Sequence, residues 1–122
     1  MKGVVIILAD VQLTESEIIA RLNDAASVKG ESLTFSVKSF FLRLLKHVDN
    51  DDFGYFLSLS VEDIANVVGM PKRTVTYCLS RLTACDALYV ESRRRPQIRR
   101  ISSSIIGLKN DDNGLGQLMI DD

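Results

Sequence analysis

The sequence predicts a mainly α-helical domain that ends in a small β-hairpin. Three observations carry that reading. Apolar residues recur at helical spacing in four stretches, most of them opened by a capping side chain and closed by Gly or a polar turn. Two short strand-type segments follow the last helix, separated by a Pro-containing, arginine-rich loop. At 122 residues, 46% hydrophobic and 25% charged, the chain has the size and composition of one compact domain with short appendages.

Val4 to Ala9 is β-branched and leucine-rich, which suits a short buried strand or an apolar arm. Thr14-Glu15-Ser16-Glu17 fits a capping box with Thr14 as N-cap. Ile18, Ile19, Leu22, Ala25 and Ala26 continue as a helical face, and Gly30 stops the helix near Lys29. The second helix has the clearest period: Val37, Phe40, Phe41, Leu44, Leu45 and Val48 form one stripe, with Thr34 or Ser36 as cap. Asp49-Asn50-Asp51-Asp52 with Gly54 reads as a polar turn, and Phe53, Tyr55, Phe56 and Leu57 as an apolar re-entry, a short strand.

Ser60 caps a third helix, with Glu62 and Asp63 complementing its positive end and Gly69 terminating it. Met70-Pro71 forms the turn, because Pro is tolerated only at the start of the next helix. The fourth helix runs from about Lys72 to Cys85 with Val75, Cys78, Leu79 and Leu82 inward. Ala87 to Glu91 is a strand, Arg93 to Gln97 a loop, and Ile98 to Ser103 a returning strand. Three glycines and four aspartates with no aromatic residue predict little order from Gly107 to Asp122. The chain thus divides into an N-terminal extension (1–32), a central domain (33–104) and an acidic tail (105–122).

The longest uninterrupted apolar run, Val4 to Ala9, is six residues, against the roughly 20 that a membrane span needs. Asp10 follows it, and no signal-peptide cleavage pattern is near. Cys78 and Cys85 form no disulfide framework, which fits a reducing compartment. The expectation is a soluble, cytoplasmic protein with no membrane partner.

Net charge is −1, but it is unevenly spread. Residues 1–70 sum to −4 and residues 101–122 to −3, whereas residues 71–100 carry eight basic and two acidic side chains, net +6. A basic block inside an acidic chain predicts a localised polyanion-binding face.

Two short helices around a tight Gly-containing turn, then a strand, a basic loop and a strand, make a winged helix-turn-helix. The stretch from Leu59 through Ser60-Val-Glu-Asp-Ile-Ala and Gly69-Met-Pro-Lys-Arg-Thr-Val to Leu82 resembles the winged-helix pattern of bacterial transcriptional regulators. It also resembles the helix-turn-helix region of phage and plasmid replication proteins. The segment Lys46-His47-Val48-Asp49-Asn50-Asp51 is similar to the opening helix and polar loop of those proteins. The resemblance spans roughly residues 33–104. Pro71 departs from it where a capping Ser or Thr is usual, and Asp86 where Gly is usual. Asp tolerates the left-handed conformation that such a turn needs.

On this reading the fourth helix presents Lys72, Arg73, Thr74, Thr76, Tyr77 and Ser80 to the major groove of double-stranded DNA. Arg73 is the candidate for a bidentate guanine contact, Thr74 and Thr76 for bases, methyls or phosphates, and Tyr77 for a phosphate. Cations at a helix N-terminus oppose the macrodipole, which favours a role with an anion. The wing contributes Arg93, Arg94 and Arg95, with Arg99 on the returning strand, toward phosphates and the minor groove. Arg99 and Arg100 are adjacent, so their side chains face opposite ways.

The remaining chemistry is sparse. His47 sits in a last helical turn, the two cysteines serve as small buried apolar groups, and Asp49 to Gly54 lacks the spacing of a calcium loop. No phosphate-binding loop or nucleophile elbow is present. The expectation is therefore a non-enzyme without cofactor or metal. The leading reading is a sequence-specific DNA-binding transcriptional regulator that acts as a homodimer, with residues 1–32 either forming the dimerisation element or covering the domain's core. The alternatives are a phage or plasmid replication initiator or centromere-binding partition adaptor, and a winged helix devoted to protein interaction. Leu115, Leu118, Met119 and Ile120 make the acidic tail a candidate protein-docking segment.

Overall fold

A computed structural model of the protein describes residues 5–8, 11–92 and 97–106, with side chains described from Leu13 onward. Two strands, β1 (Val5–Leu8) and β2 (Val11–Thr14), pair antiparallel and lead into α1 (Glu15–Val28). Helix α2 (Phe35–Leu44) passes through a 3-10 turn, Leu45–His47, into β3 (Asp49–Asp51) and β4 (Gly54–Ser58). Helices α3 (Val61–Val68) and α4 (Lys72–Ala84) come next, then β5 (Leu88–Ser92), β6 (Ile98–Ile101) and a short helix α5 (Ser103–Ile106). The chain is helix-rich, with a four-stranded antiparallel sheet in the order β3-β4-β6-β5 among the described residues.

The capping chemistry is as the sequence implies. Thr14 Oγ1 accepts from the Glu17 amide at 3.1 Å, and the Glu17 carboxylate accepts from the Thr14 amide at 2.9 Å. Thr34 caps α2 and Ser60 caps α3. Gly69 ends α3 with φ +71, a left-handed conformation that costs other L-residues a Cβ clash. Asp86, one residue beyond the Cys85 C-cap of α4, also adopts a left-handed φ of 61.

One core unites these elements. Ile18, Leu22 and Ala26 of α1 join Phe40, Phe41 and Leu44 of α2, Ile64 and Val68 of α3, and Val75, Cys78, Leu79 and Leu82 of α4. The sheet contributes Tyr55, Leu57, Leu88 and Ile101. Ile18 and Leu22, in the segment expected to dimerise or to cover the core, are therefore buried within a single chain. Helix α1 also packs on α5, and Arg21 donates to the Ile105 carbonyl at 3.0 Å.

Four local expectations need correction. Asp49–Asp51 is a strand, not a turn; Asp is a poor strand former, but pairing with β4 overrides that preference. The turn shrinks to Asp52–Phe53, where Asp51 accepts from the Phe53 amide and Gly54 adopts φ 126. The periodic stripe of the second helix tightens into the 3-10 turn after Leu44 rather than continuing as α-helix. The last strand stops at Ile101: Ser102 accepts from the Ser104 amide and starts α5, so Ser103 is helical. The pairing of Val11–Thr14 with Val5–Leu8 is an element that the sequence pattern does not announce. The expectations for the tail from Gly107 lie outside the described residues. No helix among the described residues is long and apolar enough to cross a membrane.

Candidate nucleic-acid interface

Helix α4 is sharply two-sided. Val75, Cys78, Leu79 and Leu82 are buried, while Lys72, Arg73, Thr76, Tyr77 and Ser80 are exposed, with Thr74 half-buried at the boundary. The exposed set follows i, i+4 and i+3 steps, so it forms one stripe opposite the core. Tyr77 keeps 53% of its surface. Lys72 and Arg73 form no ion pair with any described residue.

The N-terminus of α4 is open. Pro71 is the N-cap and supplies no side-chain hydrogen bond, so the first-turn amides lack a capping acceptor. Two cations stand at this positive helix end, where the macrodipole disfavours them. An incoming anion would gain from amides, dipole and both side chains at once.

Side chains from elsewhere hold the end of α3 and the far end of α4. Arg43 of α2 donates to the Val68 carbonyl at 3.0 Å, closing the C-terminus of α3 just before the turn. Lys29 pairs with Asp86 at 2.9 Å, and Glu31 binds Arg81, so the α1–α2 connection grips the far end of α4. The Asp86 contact holds the Lys29 ammonium above its ordinary range. Sequence reasoning missed these positioning residues. Arg43 lies off the apolar stripe and Lys29 in a connection, and no local pattern marks either.

The structure reassigns part of the basic block. Arg99, placed on the exposed interface by the sequence, retains 9% of its surface and sits on the core side of the sheet between Leu57 and Val90. Its guanidinium donates to Gln97 at 2.8 Å and toward the Leu59 carbonyl at 3.4 Å, and burial pushes its pKa down. Alternation sends Arg100 to the other face, as expected, yet it is buried too. It grips Asp51 through two bonds of 2.8 and 3.0 Å and Glu91 through one of 2.8 Å, with its guanidinium carbon 5.3 Å from the Phe56 ring centre. No local pattern marks this pair, because its members lie 49 positions apart and Asp49 to Asp51 is polar throughout. Arg93, Arg94 and Arg95 lie outside the described residues.

Cys78 and Cys85 are buried, and desolvation pushes both thiols up. No group of three or more potential metal ligands occurs among the described residues. No known protein family, curated protein or solved structure matches the chain.

Proposed function

We propose that this protein is a winged-helix, sequence-specific binder of double-stranded DNA that regulates transcription. The observation that carries the reading is the two-sidedness of α4: a fully packed inner face and an outer stripe of Lys72, Arg73, Thr76, Tyr77 and Ser80. The order α2, β4, α3, α4, β5, β6, with β6 between β4 and β5, supports the winged-helix reading. In that arrangement α3 and the Gly69 turn brace α4, whose first turn enters the major groove. Arg73 reads a guanine edge, Lys72 and Tyr77 meet phosphates, and Thr74 and Thr76 touch bases or backbone. The wing arginines Arg93, Arg94 and Arg95 add affinity along the flanking minor groove. Arg99 and Arg100 are left out of the contact set because both guanidinia already have protein partners.

One winged helix offers a modest footprint, so the reading includes a homodimer on two half-sites. Its test is selection of bound fragments from source genomic DNA, followed by footprinting. A symmetric site near promoters is the expected result, and repeated sites at an origin would shift the role to replication or partition. Equal binding to cognate and random DNA at every salt concentration would refute sequence-specific recognition.

A further inference from the structure

A groove of about 310 Å³ lies between α1 and α2, on the side of α2 turned away from the core. It is lined by half-buried Ile19 and Leu42, by exposed Phe35 at its edge, and by the cations Lys38, Arg43 and Lys46. Glu15 is the acidic lining residue, so the lining sums to about two positive charges in a chain whose first 70 residues are otherwise acidic. Phe35 stands 81% exposed at its edge.

We infer that this groove is the docking site of the chain's own acidic, apolar segment Leu115–Asp122, bound within the same molecule. Chemistry matches on both counts. Leu115, Leu118 and Met119 fall at i, i+3 and i+4, the anchor spacing of an amphipathic helix in a groove, and Ile120 adds apolar area. Asp121 and Asp122 follow directly, complementary to the lining cations. The exposed stripe of α4 fits this segment less well, because Thr76, Tyr77 and Ser80 offer few partners for four large apolar side chains.

Reach is sufficient. Helix α5 ends at Ile106 on the flank of α1 marked by Arg21, and the groove lies on the flank marked by Ile19. Two residues turn an α-helix by about 200°, so the two flanks are separated by one helix diameter, about 10–12 Å. The eight residues 107–114 can extend to about 26 Å at roughly 3.3 Å per residue. This docking uses none of the proposed DNA-contacting residues; Arg43 lines the groove and also bonds the Val68 carbonyl before the turn into α4.

The chain contains no tryptophan, so Phe35→Trp places a single reporter beside the groove of the full-length protein. Docking predicts blue-shifted emission and protection from acrylamide. Adding Leu118→Asp and Ile120→Asp, or Lys38→Glu and Lys46→Glu, should each return emission to that of a solvent-exposed indole while circular dichroism stays unchanged. Among described residues nothing covers Phe35, so a blue shift needs an additional occupant. Emission that is already fully exposed in the parent, or that the tail substitutions leave unchanged, overturns the proposal. A blue shift that grows with protein concentration also overturns it, because it assigns the groove to a second copy.

Discussion

Replacing Arg100 by methionine removes a charge and three hydrogen bonds while keeping much of the side chain's length and apolar bulk. Two limits bracket the cost. Removing one partner of a fully buried ion pair costs about 3–5 kcal/mol, whereas an exposed pair is worth about 0–1 kcal/mol. The Arg100 side chain is 7% exposed, but its partners Asp51 and Glu91 keep 39% and 42% of theirs. The freed carboxylates can therefore rehydrate, which discounts the upper limit heavily. Loss of the contact with the Phe56 ring adds about 0.5–1 kcal/mol. Arg100→Met should destabilise the fold by about 2 kcal/mol at neutral pH, read from urea unfolding followed by circular dichroism.

The same variant has a pH signature. The Arg100 guanidinium beside Asp51 holds that carboxyl below its usual range. A depressed carboxylate stabilises the fold fully above its unfolded value, about 3.9, and loses that contribution as pH falls through the lower native value. The stability gap between parent and variant should thus be widest at neutral pH and close below about pH 4. A loss under about 0.5 kcal/mol at neutral pH, the size of a surface pair, would refute the reasoning. A gap that persists unchanged through the acid range would refute it as well.

Three further outcomes are expected. Arg73→Ala should weaken a cognate site by about 1–3 kcal/mol and relax preference at one base position, measured by titration against single-base variants; equal loss on random DNA would make it a backbone contact. Replacing Arg93, Arg94 and Arg95 by Ala should flatten the log–log salt slope of binding by up to about 2–3 units while circular dichroism is unchanged. Cys78 and Cys85 should resist an aromatic disulfide reagent at neutral pH in the native protein and react on unfolding, because both are buried out of the reagent's reach and desolvation pushes the thiols up; rapid labelling of the folded chain would contradict this.

The one-dimensional signals carried the helices well. Thr14 and Glu17, Ser60, Gly69 and Asp86 act within a few residues of themselves, so their roles are visible as short patterns. The inward face of α4 was legible for the same reason: Val75, Cys78, Leu79 and Leu82 repeat at the helical period. Strand β3 was not, since three polar residues carry no apolar alternation, and their extended state is set by pairing with β4 and by Arg100.

By itself the sequence determined helices α1 to α4, the capping residues Thr14, Thr34 and Ser60, the apolar faces and the location of the basic block along the chain. Only the tertiary structure decided which of those cations are free. Arg81, Arg99 and Arg100 share the block with Lys72 and Arg73, and in sequence they look alike. The contacts that separate them are distant: Arg81 with Glu31 spans 50 positions and Arg100 with Asp51 spans 49. Periodicity and capping are local, so they report which way a side chain leaves its own helix or strand. Whether an opposite charge waits there depends on how the elements pack.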